Sequence, residues 1–393
     1  MKISDVSAFA VHGEGAYGAA SGADEASDSG DYLLLVRVRT DDGLEGWADV
    51  ETLGPVGAAV IAGRSMGAAG FRTLGEILIG QDPLDIDSRW QDMYLGSAYY
   101  GRRGVVIQCI SAIDNCLWSI TAQAAGLSLS DVLGGRRRDR LPAYASTLFR
   151  RTPEENAAAA RRYADLGYRG VKFGWGGFGV DLALDRANLE AIRESLGADR
   201  AMMIDPGWYV ERDGRAVLRE PETVRGMLDT LVEFDPHWVE DIVPPDEIDS
   251  YRGLAADFPT LRFAAGEQQA TSWDFRRLLD GGGVQIVQPD LSRCGGLTTA
   301  GDLAKRLPDG VEIVTHSWLT DLLHSYSLHF LSTLPSAPWV EFNVAQSALS
   351  DNVTRGKMAL EADGTVTVPD GPGIGVDVDT QFVLAHAVDL AWA

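Results

Sequence analysis

Eight short apolar segments, spread over residues 141–345, most constrain what this chain can fold into. They read LPAYAST, YRGVKF, AMMID, HWVED, LRFAAGE, VQIVQPD, VEIVTH and WVEF. Short continuous apolar runs are typical of buried parallel strands, and the amphipathic stretches between them are suited to helices. Eight such βα units of roughly 26 residues predict a TIM-type α/β barrel, with a doubly wound open sheet as the competing architecture.

An ionisable residue lies at or beside the end of seven of these eight segments. From the second segment to the eighth they are Lys172, Asp205, Glu240, Glu267, Asp290, His316 and Glu341. The carboxyl ends of all strands in a barrel open on one face, where active sites are built. Each residue alone could cap a helix or be a solvated charge. The series as a whole predicts one shared site.

The residue types in this series indicate a chemistry. Three successive positions offer only carboxylates: Asp205, Glu240 and Glu267. Such an all-oxygen set predicts Mg²⁺. Asp290 beside His316 would orient the imidazole and raise its basicity, as a general base requires. Lys172 could meet substrate charge or carry a proton, with a pKa lowered by desolvation and by the cation. Metal and base together suit removal of a proton next to a carboxylate, giving an ene-diolate.

The segments that flank the predicted barrel indicate a second unit. YLLLVRVRT and LEGWADV are joined by Asp41-Asp42-Gly43, which predicts a strand pair. Within residues 105–125, apolar residues recur every three or four positions, as on one helix face. We therefore predict an α+β unit over residues 1–125, the barrel over 126–345, and a tail over 346–393 whose short β-like pieces return to the first unit.

The net charge of the chain limits the classes of partner that it is expected to bind. Acidic residues outnumber basic ones by 57 to 34, giving a net charge of −23. Such a surface repels phosphate backbones and anionic lipid, so nucleic acid and membrane are not expected partners. Three cysteines without metal-ligand spacing fit buried side chains in a reducing compartment. The first residues lack the apolar stretch of a signal peptide, so we expect a cytoplasmic protein.

Together these segments resemble the enolase superfamily, in its mandelate racemase subgroup, over nearly the whole chain. The segment YLLLVRVRTDDGLEGWADV resembles the opening of the family's capping domain. The segment RRGVVIQCISAIDNCLWSITAQAAGLSLSDVLGG resembles the helix that leads into the family's barrel. The strands that carry its three metal ligands resemble IDPGW, WVEDIVPPDE and AAGEQQAT. QPDLSRCGGLT and VTHSW resemble the segments with the subgroup's Asp and His, WVEF that with its strand-8 Glu, and PDGPGIGVDVD its returning tail.

The resemblance implies a modified (β/α)7β barrel with an α+β capping domain. It also implies Mg²⁺ and an enolate stabilised from a small-molecule carboxylate, which in many relatives is a sugar acid. We expect a homo-oligomer.

The chain departs from the family pattern at the end of the second predicted strand. Relatives usually place two lysines around one residue there. Lys172 fits the first position, and Gly174 occupies the second, where a proton-abstracting lysine would sit. Side chains alternate along a strand, so positions 172 and 174 point the same way. The third predicted strand also lacks the extra His that some sugar-acid dehydratases carry two positions after the ligand. His316 is then the strong candidate for a base.

A single base favours elimination over racemisation, which needs a base on each face of the substrate. His316 can remove the α-proton and then protonate a departing β-hydroxyl on the same face, while Glu341 donates a proton or hydrogen bond to the developing charge. We predict an Mg-dependent carbon–oxygen lyase that dehydrates a sugar acid to a 2-keto-3-deoxy acid. A racemase, epimerase or cycloisomerase acting through the same enolate is the alternative.

Other interpretations stay open. Gly174–Gly179 matches G-x-G-x-x-G, the dinucleotide fingerprint, although it does not open the first βα unit. A Gly-rich loop that lets Trp175 and Phe178 line the pocket explains the motif equally well. A metal-binding barrel without catalysis and a metal-dependent hydrolase are two further possibilities. His324 and His329 fit structural roles. Four more residues could contact substrate: His12, Tyr17, Arg102 and Arg103.

Overall fold

The computed structural model describes residues 1–13, 31–345 and 347–390. The chain opens with an antiparallel sheet of order β1-β2-β3, made of β1 (Ile3–Gly13), β2 (Asp31–Thr40) and β3 (Glu45–Val50). The predicted Asp-Gly turn joins β2 to β3, with Gly43 at a φ of 93°. Five helices follow: α1 (Gly54–Ala62), α2 (Leu74–Leu78), α3 (Ile86–Gly96), α4 (Val105–Ala125) and α5 (Leu129–Val132).

Helix α4 is the predicted amphipathic helix and forms the core of this unit. By length and composition alone it could cross a membrane, but 78% of its apolar window is buried inside the protein, as in the core helix of a soluble protein. Its buried face packs on the sheet, and Gly126 in the left-handed region ends it.

The central part of the chain alternates strands and helices. Its strands are β4 (Arg140–Leu148), β5 (Gly170–Gly174), β6 (Ala201–Asp205), β7 (Tyr209–Arg212), β8 (Arg215–Leu218), β9 (Trp238–Glu240), β10 (Phe263–Ala265), β11 (Ile286–Val287), β12 (Glu312–Ile313) and β13 (Val340–Asn343). Its helices are α6 (Pro153–Asp165), α7 (Leu182–Leu196), α8 (Pro221–Val232), α9 (Ser250–Asp257), α10 (Thr271–Gly281), α11 (Gly296–Ala304) and α12 (Asp321–Thr333).

The strand order decides between the two architectures. The parallel ladders run β12-β11-β10-β9-β6-β5-β4-β13, so the last barrel strand pairs with the first. Such first-to-last pairing closes a barrel and has no place in a doubly wound sheet. The predicted barrel with a separate antiparallel unit is therefore confirmed, and β7 and β8 form an additional hairpin after the third barrel strand.

The barrel interior is filled one layer below its open end. Six buried side chains form this layer: Tyr144, Met203, Trp238, Ala264, Ile286 and Val314. Tyr144, Met203 and Val314 lie two positions before residues that line the cavity, as the alternation of side chains along a strand requires. This layer closes the bottom of the pocket, so the polar strand ends meet in a bounded cavity.

The C-terminal part contacts both units. It contains α13 (Ala348–Asn352), β14 (Thr354–Arg355), β15 (Thr365–Thr367), β16 (Asp377–Val378) and α14 (Thr380–His386). Strand β15 pairs antiparallel with the start of β4, and farther on Val388 N donates a hydrogen bond to Ala10 O in β1 (2.7 Å). The predicted limits of the three parts at residues 125 and 345 stay a prediction.

Candidate active site

The structure brings all seven predicted strand-end residues to the open end of the barrel. A cavity of about 400 Å³ lies there. Lys172, Asp205, Glu267 and His316 line it directly, and the remaining three residues contact this set. Strands β6 and β9 end on such residues, Lys172 and Glu341 lie within β5 and β13, and the other three residues follow their strands by two or three positions. The convergence follows from strand direction, because all eight strands are parallel.

The three carboxylates predicted to bind metal form a compact group. Asp205, Glu240 and Glu267 each offer an oxygen, and these atoms lie within 4.8 Å of one another. All three side chains are buried. Burial and the neighbouring Glu240 charge raise the pKa of Asp205 well above its usual value. Such mutual repulsion is relieved by a cation, and an all-oxygen set fits a hard divalent metal ion.

Lys172 is held between carboxylates. Its Nζ lies 2.6 Å from Glu240 Oε1 and 2.8 Å from Glu341 Oε1, and the residue is only 3% exposed. Burial by itself would lower the pKa of Lys172, but Glu240 and Glu341 raise it well above the usual value. The expectation of a lowered pKa is therefore wrong for the protein alone, because the carboxylates outweigh desolvation. Lys172 is a fixed cation.

Two residues that the sequence analysis missed hold the other oxygen of Glu240. Trp238 Nε1 and Gln288 Nε2 each donate to Glu240 Oε2 at 2.9 Å. Both lie two positions before a strand-end carboxylate, on the same face of their strands. This spacing of two residues is the feature of the sequence that could have identified Trp238 and Gln288. With Lys172 on Oε1, the Glu240 carboxylate has a fixed orientation.

His316 and Asp290 form a hydrogen-bonded pair. His316 Nδ1 lies 2.7 Å from Asp290 Oδ2, while Nε2 lies 3.2 Å from Glu267 Oε2. Asp290 Oδ1 accepts hydrogen bonds from the backbone N–H and hydroxyl of Ser292, which fixes the carboxylate. Burial would lower the pKa of His316, but Glu267, Glu341 and Asp290 raise it to about 10. Because Nδ1 is bonded to Asp290, Nε2 is the ring nitrogen that can face a substrate.

Glu341 is an acceptor, contrary to the expectation that it donates a proton or hydrogen bond. Its Oε2 accepts from the backbone N–H of Ser317 at 2.6 Å, and its Oε1 pairs with Lys172. Burial would raise the pKa of Glu341, but Lys172 and His316 hold it well below its usual value. The carboxyl is ionised, so it has no proton to give, and it instead fixes the position of the Lys172 cation.

The Gly-rich loop after β5 forms one wall of the pocket. Gly174 and Trp175 line the cavity, with Trp175 held at a φ of 53° by a hydrogen bond from its N–H to Asp205 O (2.7 Å). Phe178 does not line the pocket as expected. It is buried and stacks on Phe149 with ring centroids 4.8 Å apart. Helix α7 starts only at Leu182, so these glycines do not open a helix as a dinucleotide fingerprint would.

Aromatic side chains continue this wall. In the part of the chain that the structure describes, the aromatic residues lining the cavity are Trp175, Trp208, Tyr209 and Trp318. A Cβ at Gly207 would lie 2.7 Å from the Trp175 ring, so this glycine allows the ring to pack closely against the loop after β6. The pocket therefore combines a charged floor with an aromatic side, the usual composition of a small-molecule site.

Arg293 and Glu51 also line the cavity, and the sequence analysis selected neither. Arg293 Nη1 lies 3.2 Å from Glu267 Oε1, and its Nε lies 3.5 Å from Asp290 Oδ2. Its Nη2 forms an ion pair with Glu51, which directly follows β3. No local pattern marks Glu51, because it meets the site across a long separation in the sequence.

The other candidate residues have different surroundings. His12 lies near the end of β1, and Tyr17 lies outside the described residues. Arg102 is exposed, and Arg103 pairs with Asp246 at 3.0 Å and Asp274 at 2.5 Å. His324 stacks on Phe342, and His329 accepts a hydrogen bond from the Ser130 N–H at Nδ1. Both of these histidines are buried, and neither lines the cavity.

Comparison with known proteins places the chain in a family. The model described as "Enolase C-terminal domain-like" matches residues 155–382, and that of the mandelate racemase/muconate lactonizing enzyme N-terminal domain matches residues 25–134. The chain is 33% identical to D-galactarolactone cycloisomerase of Agrobacterium fabrum, covering 88% of this chain and 89% of the relative. It is 30% identical to D-galactonate dehydratase of Ralstonia pickettii, covering 90% and 91%.

Solved structures agree with this placement. The crystal structure of 3,6-anhydro-D-galactonate cycloisomerase from Zobellia galactanivorans superposes with a TM-score of 0.83 at 27% identity, over 99% of this chain and 100% of that one. An enolase superfamily member from Polaromonas sp. JS666 gives a TM-score of 0.81 at 27% identity, over 100% and 99%. The chain therefore belongs to the enolase superfamily, in the mandelate racemase and muconate lactonizing enzyme family of metal-dependent enzymes.

Proposed function

We propose that this protein removes the proton α to a carboxylate of a sugar acid and expels the oxygen on the β-carbon. The observation that carries this proposal is the asymmetry of the pocket. One side offers a hydrogen-bonded His316–Asp290 pair, whereas the other offers the fixed cation Lys172 and the side-chain-free Gly174. Among the described residues that line the pocket, His316 is the base, and a single base suits elimination, which can use one group as base and then as acid.

The residues of the chain divide the work as follows. Asp205, Glu240 and Glu267 would hold a divalent cation, which draws electron density from the substrate carboxylate and makes the neighbouring proton easier to remove. His316 Nε2 takes that proton, while Asp290 keeps Nδ1 protonated and oriented. The imidazolium then gives the proton to the departing oxygen. Lys172 stabilises the negative charge that develops in between.

Dehydration is the main candidate, and the product is then a 2-keto-3-deoxy acid. The relative named D-galactonate dehydratase supports it, as does the single base. Cycloisomerisation is the second candidate, favoured by the relative named D-galactarolactone cycloisomerase. Both reactions break a bond between the β-carbon and oxygen after α-proton removal. In dehydration this oxygen leaves as water. In cycloisomerisation it is the ring oxygen of a lactone, and after the ring opens it stays in the molecule as a carboxylate oxygen.

One experiment separates these outcomes. The purified protein with Mg²⁺ is incubated in D₂O with a panel of open-chain sugar acids and their lactones, and products are followed by mass spectrometry and NMR. A product lighter by one water, carrying a 2-keto group, is expected for dehydration. An opened lactone that carries a 2-keto group, with a composition unchanged apart from deuterium, indicates cycloisomerisation. Inversion at C2 without a keto acid would contradict both and would reveal a second base in the pocket.

Three further features belong to the proposal. Mg²⁺ is the proposed ion because the donor set is entirely carboxylate. The cytoplasm is the proposed location, since Cys109, Cys116 and Cys294 are buried free thiols. We also propose a homo-oligomer, which sedimentation of the purified protein would test.

A further inference from the structure

Arg293 joins the capping unit to the active site. Its side chain is 10% exposed and contacts three carboxylates: Glu51, Glu267 and Asp290. Glu267 belongs to the proposed metal site and Asp290 orients the proposed base, whereas Glu51 follows β3 in the capping unit. The three anions raise the pKa of the buried Arg293 guanidinium above its usual value, despite the cost of burial. Arg293 is therefore a permanent charge beside two functional residues.

The loop that carries Arg293 is fixed by helix α4 of the capping unit. Ser111 Oγ accepts from Gly295 N at 2.8 Å, and Asn115 Nδ2 donates to Leu291 O at 2.9 Å. Asp114 accepts from the backbone N–H and the hydroxyl of Thr298, at 2.9 and 2.6 Å. These bonds hold the backbone on both sides of Arg293. Its guanidinium position is then decided by the partners at its tip.

Strand β3 supplies the partner at that tip. Asp49 and Glu51, two positions apart, both reach the barrel through their side chains: Asp49 Oδ2 accepts from Thr320 Oγ1 at 2.7 Å, and Glu51 pairs with Arg293. Side chains two apart share one face of a strand, so the docking of β3 also places Glu51. The Glu51 side chain is 42% exposed, and both Glu51 and its partner Arg293 line the pocket.

The charge on Glu51 bears on the metal site through Arg293. A guanidinium next to Glu267 competes with any cation for that carboxylate, since both neutralise the same charge. Glu51 shares the guanidinium and holds it at the edge of the site, with 3.2 Å to Glu267 Oε1. Without the Glu51 charge, the guanidinium is drawn fully onto Glu267 and Asp290. Partners of metal ligands commonly change metal affinity by about 10–100-fold when replaced.

We propose that Glu51 and Arg293 form a positioning pair through which the capping domain sets the metal affinity of the Asp205, Glu240 and Glu267 site. The inference rests on the proposed function only in taking these carboxylates to bind a divalent cation. Neither residue takes part in proton transfer. Glu51 acts on Arg293, and Arg293 acts on the orientation and charge of Glu267.

The test compares Glu51→Gln with a matched control, Arg103→Ala. Both substitutions remove ion pairing between the capping unit and the barrel, one pair in Glu51→Gln and two in Arg103→Ala, whose partners Asp246 and Asp274 lie away from the metal site. Mg²⁺ binding is measured by calorimetry without substrate, so the result does not depend on turnover. Glu51→Gln should raise the Kd for Mg²⁺ roughly tenfold or more. Arg103→Ala should leave that Kd unchanged.

Activity adds a second readout. The Mg²⁺ concentration that gives half-maximal turnover should rise in Glu51→Gln by about the same factor as the Kd measured without substrate. Glu51→Asp keeps the charge on a shorter side chain and should lie between the parent and Glu51→Gln in Mg²⁺ affinity. If Glu51→Gln does not fold, a raised Kd in Glu51→Asp still supports the proposal, and an unchanged Kd contradicts it.

Two outcomes overturn the inference. Glu51→Gln with the parent's Kd would show that the pair does not act on the metal site. An equal loss in Arg103→Ala would show that docking of the capping unit in general, rather than this pair, is responsible. A parent protein that binds Mg²⁺ but converts no sugar acid would instead refute the proposed reaction and leave this comparison intact.

Discussion

The two sides of the active-site pocket use buried charge in opposite ways. On the side of β12, His316 is oriented by Asp290 through Nδ1 and keeps Nε2 toward the pocket. On the side of β5, Lys172 is locked by two ion pairs shorter than 3 Å, and Gly174 carries no side chain. Both polar groups are cations in the protein alone. A cation that compensates Glu267 would let the imidazole lose its proton, whereas Lys172 stays charged between Glu240 and Glu341, so proton transfer belongs to one side and charge stabilisation to the other.

A second comparison shows that surroundings, rather than residue type, make His316 a candidate base. His329 is also buried, but burial without strong anionic neighbours lowers its pKa to about 4. Burial of His316 is outweighed by Glu267, Glu341 and Asp290, which raise its pKa to about 10. His329 is therefore a neutral hydrogen-bonding side chain at pH 7, whereas His316 carries a proton until a cation compensates Glu267.

The largest expected effect comes from removing the proton-transferring side. His316→Asn should lower kcat by about 10⁴-fold, because a positioned base contributes up to this much. Exchange of the substrate α-proton in D₂O should be lost together with turnover, while Mg²⁺ binding by calorimetry persists. Retained α-proton exchange would mean that the side of Lys172 also transfers protons, and the asymmetry would fail.

Asp290→Asn tests whether the orientation of His316 matters. The amide cannot match the hydrogen bonds that the carboxylate accepts from His316 and Ser292, so kcat should fall by about 10²–10³-fold. Asp321→Asn is the matched control, since Asp321 Oδ1 lies 3.4 Å from His324 Nδ1 outside the pocket. Its kcat should stay near that of the parent. Equal losses in both variants would point to a structural effect.

A substitution at Gly174 tests the difference between the two sides of the pocket on the side of Lys172. A Cβ at this position would lie 3.2 Å from Asp205 Oδ2, so Gly174→Ala should weaken Mg²⁺ binding several-fold through crowding of that carboxylate. Gly174→Lys should lose metal affinity rather than gain a second base. Epimerisation at C2 by Gly174→Lys, followed by NMR in D₂O, would show that the missing lysine alone separates this pocket from a racemase.

A pH dependence of metal binding tests how the charge on His316 is linked to the metal site. With a pKa of about 10, His316 is protonated at pH 8, and a cation beside Glu267 disfavours that proton. Mg²⁺ affinity should therefore rise with pH, by at most about tenfold per unit, and level off above pH 10. The stabilisation that protonated His316 gives the metal-free fold has the opposite trend: it is complete below pH 6.5 and lost as the pH rises through 10. An equal pH slope in His316→Asn would assign the proton elsewhere.

Much of the fold could be predicted because local patterns encode it. The eight apolar segments are the barrel strands, and the apolar periodicity over residues 105–125 coincides with α4. Burial of both faces makes a parallel strand apolar throughout, so its signal does not depend on distant contacts. The strand-end residues follow from the same logic, because parallel strands end at one face of a barrel.

The remaining features of the site depend on distant contacts. Glu51 reaches Arg293 only because β3 docks on the barrel, and no periodicity in the sequence around either residue predicts that contact. Phe178 was expected in the pocket but packs on Phe149, since a Gly-rich loop leaves the direction of its side chains undetermined. The ionised state of Glu341 results from Lys172 and His316, which belong to other strands.

The sequence by itself determined which chemical groups stand at the barrel mouth: three carboxylates in succession, a carboxylate followed by an imidazole, one lysine, and a glycine where a second lysine would sit. Only the tertiary structure decided which of these groups carry protons and which residues of the capping unit reach them. The physical reason is that a pKa and an ion pair depend on distances of a few ångströms and on burial, summed over all neighbouring charges. Those distances exist only once the barrel has closed and the capping unit has docked.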